Sequence, residues 1–101
     1  MHMLSSKDRS RLASIAQTKD CLISLGRGGA SEAFVGRLSA LLSQHELVKL
    51  RFGDSKDSKA EIASDLAAAT GGEIVRTIGN VVVFWKRNPD PEKRTIDIDI
   101  E

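Results

Sequence analysis

A chain of 101 residues with 41% hydrophobic side chains has material for one modest core and not for two. Its single cysteine, Cys21, excludes an intramolecular disulfide and suits a reducing compartment. The net charge of +1 conceals an asymmetry: residues 1–87 carry thirteen Lys+Arg against nine Asp+Glu, while residues 88–101 carry two against five, so a basic body compatible with a polyanion partner precedes an acidic tail.

Met1-His2-Met3 reads as a remnant ahead of the natural start. Ser5 or Ser6 is a candidate cap for a first helix, with Asp8 three residues after Ser5 in a capping-box-like arrangement. Leu12, Ile15 and Ala16 form its apolar stripe, and Lys7, Arg9 and Arg11 lie mostly off that stripe. Cys21–Leu25 is a short, nearly all-apolar strand, which predicts a central position in a sheet. Gly26-Arg27-Gly28-Gly29 follows. Ser31 then caps a second helix whose stripe is Phe34, Val35, Leu38, Leu41 and Leu42. That helix fades near Gln44-His45, and Glu46 reads as a helix-end or surface charge. From Leu47 to Phe52 the pattern alternates. Val48, Leu50 and Phe52 share one face, and Lys49 and Arg51 the other.

Gly53-Asp54-Ser55-Lys56-Asp57 is a polar loop with several cap candidates. Residues 58–70 form a third helix, with Ile62, Ala63, Leu66 and Ala69 inward and Gly71-Gly72 as its stop. Glu73–Ile78 and Val81–Trp85 read as a hairpin about Gly79-Asn80. Asn88-Pro89-Asp90-Pro91 ends the domain, and residues 95–101 alternate apolar and acidic, as an added edge strand or a loose tail. The expected architecture is an α/β two-layer sandwich, α-β-α-β-α-β-β, with a mostly parallel sheet and one antiparallel strand. No apolar run reaches the ~18–20 residues of a membrane helix, and no secretory signal is visible, so a cytoplasmic protein without membrane contact is expected.

The chemistry-bearing feature is the glycine loop. Its glycines permit close approach of a partner and positive φ. The helix that follows offers free N–H groups and a positive dipole end. Arg27 within it points to a phosphate-bearing partner. The competing reading is a tight strand-to-helix turn with no ligand. The loop fails the dinucleotide fingerprint because Ser31 stands where the third glycine is required. It fails the P-loop because Ser31, Glu32 and Ala33 occupy the last three positions of that motif. Two histidines and one cysteine supply no zinc set, and no serine sits on a nucleophile elbow. No metal, cofactor or catalytic residue is expected.

Leu4-Ser5-Ser6-Lys7, the run Ile23 to Ala33 around Gly26-Arg27-Gly28-Gly29, and His45 to Leu50 resemble the CRM (chloroplast RNA splicing and ribosome maturation) domain. Glu61-Ile62-Ala63, Ala69 to Val75 and Ile78 to Trp85 continue the match in register, over residues 4–87. A single free-standing domain resembles the bacterial YhbY-type members. The resemblance implies RNA binding and association with ribosomal RNA or the precursor of the large ribosomal subunit. It also implies a four-stranded mixed sheet like that of the C-terminal domain of translation initiation factor 3. Gly26 and Gly29 fall on the fixed glycines of a GxxG loop of the kind that clamps nucleic-acid backbone in KH domains, with Arg27 and Gly28 as the variable pair.

On this reading the N–H groups around Gly28, Gly29 and Ala30 receive a phosphate and Arg27 adds a charge-assisted contact. Lys7, Arg9, Arg11, Lys49 and Arg51 extend the basic groove. Trp85 is either a base-stacking platform or sheet packing, and its place beside Val81 and Val83 on one strand face favours packing. Residues 88–101 depart from the short family ending. The rival expectations are a protein-interaction domain that uses a sheet edge or the tail, and a mononucleotide-binding domain that uses the glycine loop. Oligomeric state is not legible in the sequence.

Overall fold

Ser5 opens the first helix: its Oγ accepts from the Asp8 N–H at 3.1 Å, and α1 runs Ser6–Ala16. In a computed structural model that describes residues 4–26, 29–53 and 58–98, the chain continues through β1 (Cys21–Leu25), α2 (Glu32–His45) and β2 (Leu47–Phe52). It then forms α3 (Lys59–Thr70), β3 (Glu73–Ile78), β4 (Val81–Trp85) and a 3-10 turn at Pro91–Lys93. Ser31 caps α2 as expected, its Oγ accepting from the Phe34 N–H at 3.2 Å. The cap candidates Asp54, Ser55 and Asp57 lie outside the described residues. β3 and β4 form the expected hairpin, and Gly79 takes φ 57 at its first turn position, a conformation costly for other residues.

The sheet order is β1-β2-β4-β3. β1 pairs parallel with β2, whereas β2–β4 and β4–β3 are antiparallel. The element order and the mixed four-stranded sheet are as expected. So is the single antiparallel strand: β1, β2 and β3 run in one direction, and the hairpin returns β4 against them into the slot between β2 and β3. The central position expected of β1 is corrected. β1 is an edge strand, and its apolar content misleads because only Ile23 and Leu25 are buried, while Ser24 and Leu22 (40% exposed) face outward. Cys21 is half-buried at the start of this edge, less enclosed than a buried small apolar residue would be.

α2 and α3 cover one face, where Leu38, Leu42, Ala63 and Leu66 meet Ile23, Leu25, Val48, Leu50, Phe52, Val82 and Phe84. Thr70, rather than the expected Ala69, is the buried residue in the last turn of α3; its Oγ1 donates to the Leu66 carbonyl at 2.8 Å. The opposite face carries α1, in addition to the two layers formed by the sheet with α2 and α3. There Leu12, Ala13 and Ala16 pack with Leu47, Val75, Val83 and Trp85. Ile96 and Ile98 complete that cluster, so the chain beyond β4 folds back onto the domain. No strand is formed beyond Trp85 among the described residues.

Glu46 holds this return in place, and it is not a surface charge. It is fully buried, with φ 62 between α2 and β2. Its Oε2 accepts from the Asn88 N–H at 2.6 Å, and its Oε1 accepts from the N–H groups of Thr95 (2.8 Å) and Ile96 (3.2 Å). Its own N–H donates to the Leu42 carbonyl, and its carbonyl accepts from the Lys86 N–H. A positive φ at a non-glycine residue costs on the order of 1–3 kcal/mol. These five hydrogen bonds over-determine it.

Candidate nucleic-acid interface

The glycine loop leaves the C-terminal end of β1, the end shared by the C-terminus of β2 and the N-terminus of β4. Gly53, just after β2, donates its N–H to the Leu25 carbonyl at 2.8 Å. A Cβ on Gly53 would stand 3.2 Å from that same carbonyl, so a side chain there is crowded by the strand that feeds the loop. Arg27 and Gly28, the middle of the loop, lie outside the described residues.

The other loop residues divide by what the fold asks of them. Gly29 has φ 73, and its N–H donates to the Gly26 carbonyl at 3.2 Å, closing a turn. That N–H is therefore engaged within the chain, contrary to the phosphate-receiving role expected of it. The Ser31 N–H donates to the Gly29 carbonyl at 3.1 Å. Gly26 is different. A Cβ built on it meets nothing within 4 Å, and its φ is not positive, so neither packing nor backbone geometry among the described residues requires glycine there. Ala30 is exposed beside it.

Of the expected cations among the described residues, the strand register brings Arg51 nearest to the loop. Arg51 is exposed and registers opposite Ser24, two residues before Gly26. Lys49 lies one pleat back on the same face, with its Nζ donating to the Lys19 carbonyl at 2.9 Å. This outer end of the sheet face is not covered by α1, and Leu22 and Ile78 (54% exposed) are its open apolar residues. Lys7, Arg9 and Arg11 are elsewhere. α1 packs over Leu47, Val83, Trp85 and Val75, toward the opposite end of the sheet. Lys7 and Arg11 are exposed there, and Arg9 is partly enclosed. The groove expected to run from the loop onto the first helix is thus split between two ends of the sheet. Trp85 is buried within the α1-side core and has the Arg87 guanidinium 5.7 Å from its ring centroid, so it packs rather than presenting a base-stacking face.

Arg37 was not singled out from the sequence. It is exposed on the second turn of α2, one turn beyond the loop. Its place off the Phe34–Leu38–Leu42 stripe was the available signal. Among the described residues no group of three or more His, Cys, Asp or Glu side chains is placed to hold a metal ion, and no helix is long and apolar enough to cross a membrane.

The model of the CRS1/YhbY (CRM) domain matches residues 4–86. The chain belongs to this family. Among CRM-domain relatives, it is 26% identical over 89 residues to the probable RNA-binding protein YqeI of Bacillus subtilis, covering 87% of this chain and 93% of that one. It is 28% identical over 87 residues to a Haemophilus influenzae protein named as RNA-binding, covering 85% and 88%. It is 23% identical over 96 residues to the probable RNA-binding protein PA4753 of Pseudomonas aeruginosa, covering 94% and 92%. The solution structure of SAV1595 from Staphylococcus aureus, a hypothetical protein described as a candidate RNA-binding protein, superposes with a TM-score of 0.80 at 28% identity, covering 98% of this chain and 100% of that one.

Proposed function

We propose that this CRM-domain protein is a non-enzymatic, cytoplasmic RNA-binding module that engages ribosomal RNA or precursors of the large ribosomal subunit during ribosome assembly. Residues 4–87 are the body of the binding unit, and residues 88–98 are a strap that packs against it on the α1 side of the sheet. The observation that carries the reading is Gly26: a glycine that nothing among the described residues requires, at the tip of a strand, two residues beyond the register partner of an exposed Arg51 and ahead of a helix N-terminus. A missing side chain there leaves room for a phosphodiester backbone to come close, with Arg27 and Arg51 supplying charge-assisted contacts. The family membership and the names of the relatives support the choice of RNA over a free mononucleotide or a protein partner.

Such contacts position RNA without reading bases, so binding should be steeply salt-dependent and tolerant of sequence. Arg27→Gln and Arg51→Gln should each lower the magnitude of the log Kd against log salt slope by about 0.7–1. Gradient sedimentation of cell extract should place the protein with large-subunit precursors. An unchanged slope in both variants, or absence from every ribosomal fraction, contradicts the reading.

A further inference from the structure

A second cationic site lies at the other end of the sheet. Where β3 begins and β4 ends, the first turns of α1 and the last turns of α3 stand on either side of the β3 edge and enclose a cleft of about 1060 Å³. Arg9, Lys86, Arg87 and Arg94 line it, with Glu73 and, from α3, Ser64. Three of the four cations already have work in the fold. Lys86 Nζ donates to the Thr70 carbonyl at the end of α3 (2.8 Å). Arg87 donates through both terminal nitrogens to the Ile96 and Ile98 carbonyls, and Arg94 donates through Nε to the Asn88 carbonyl. None of these acceptors is a carboxylate, so the positive charge of all three remains uncompensated by those bonds. Glu73, the acid in the cleft, is partly engaged by the Leu4 N–H at 2.9 Å.

Arg9 is the exception. Its Nε is buried and has no hydrogen-bond acceptor among the described residues. A buried charged donor left without an acceptor is costly, so such a group ordinarily has a partner. Arg9 also lines the cleft, so an anion seated there would meet its guanidinium charge even though Nε itself is enclosed. Guanidinium groups lining a cleft suit phosphate oxygens.

We infer that this cleft, between α1 and α3 over the β3 edge, is a second RNA-backbone site, separate from the glycine loop, so that bound RNA contacts both ends of the sheet. The inference rests on the RNA-binding reading above and adds to it a second place where a phosphate binds. Arg9 is the primary contact, and Arg94 contributes through its terminal nitrogens.

The test uses the full chain, a single-stranded RNA of about 20 nucleotides in mixed sequence, and two variants on different helices that meet only at the cleft. Arg9→Gln removes the contact, and Ser64→Glu places a negative charge on the opposite wall. For one phosphate contact on single-stranded RNA, the salt slope should fall by about 0.7, which corresponds to about five-fold in Kd at 0.1 M salt. Both variants should weaken binding by about that factor, Arg9→Lys should retain most of it, and the melting temperatures should match the parent. Ser64→Glu binding like the parent overturns the inference whatever Arg9→Gln does. So does unchanged binding by Arg9→Gln. If Arg51→Gln weakens binding in the same assay, the glycine-loop reading survives that failure. If the parent binds no RNA, both fail. Loss of an acidic peptide's binding, with RNA affinity intact, would assign the cleft to a protein partner instead.

Discussion

At the end of the sheet where β4 finishes, Glu46 accepts three backbone N–H groups and donates or accepts two more bonds through its own backbone, all in full burial. At the end where β1 finishes, Gly26 has open space where a side chain would be, and Arg51 is exposed. The first region contains an unusual backbone angle on a residue that is not glycine, held by saturated hydrogen bonding. The second contains a glycine whose backbone angle and described surroundings do not call for one. An unusual residue that the fold explains points to stability. An unusual residue that the fold leaves unexplained points to a partner.

Substitutions can break this contrast at either end. The largest effect is expected from Glu46→Ala, which strips three N–H groups of their acceptor while the positive φ persists. Part of that loss is relieved where water can reach the freed donors, so the expected destabilisation is about 2–4 kcal/mol by denaturant unfolding. Against a total of about 5–15 kcal/mol for a domain, that is a large share. Limited proteolysis should then cut within residues 88–98 faster than in the parent. A small stability change with unaltered protection would show that Glu46 is not the latch. A smaller effect of opposite sign is expected from Gly36→Ala. Gly36 is exposed inside α2, and a Cβ there meets nothing within 4 Å. Alanine should stabilise the helix by about 1 kcal/mol and leave RNA affinity unchanged. Weakened binding would extend the interface from the loop onto α2.

Much of the fold was legible because its signals are local. The serine caps at Ser5 and Ser31, the glycines after α3 and the two-residue turn at Gly79-Asn80 act over a few residues, and each falls where the pattern puts it. Strand position was not legible. Cys21–Leu25 is apolar enough for a central strand, yet its neighbours are decided by where the later hairpin inserts β4, which no local pattern records. Glu46 was misread for a related reason, since its partners lie more than forty residues along the chain. One clue was available. α2 ends at His45 with no glycine after it, so a residue with a side chain had to make the turn into β2. At the candidate site, the loop and its neighbour Arg51 could be located from sequence. The engagement of the Gly29 N–H within the turn could not, nor could the separation of Arg9 from the loop by the width of the sheet.

The central claim is that Gly26 is glycine for a partner's sake, and Gly26→Asp tests it most directly. Aspartate finds room in the free protein and sets a negative charge where a phosphate is expected to sit. The account predicts a melting temperature within error of the parent and at least about a ten-fold loss of RNA affinity at 0.1 M salt, from lost approach and added repulsion together. Parent-like affinity for RNA, in a variant that melts like the parent, would contradict it.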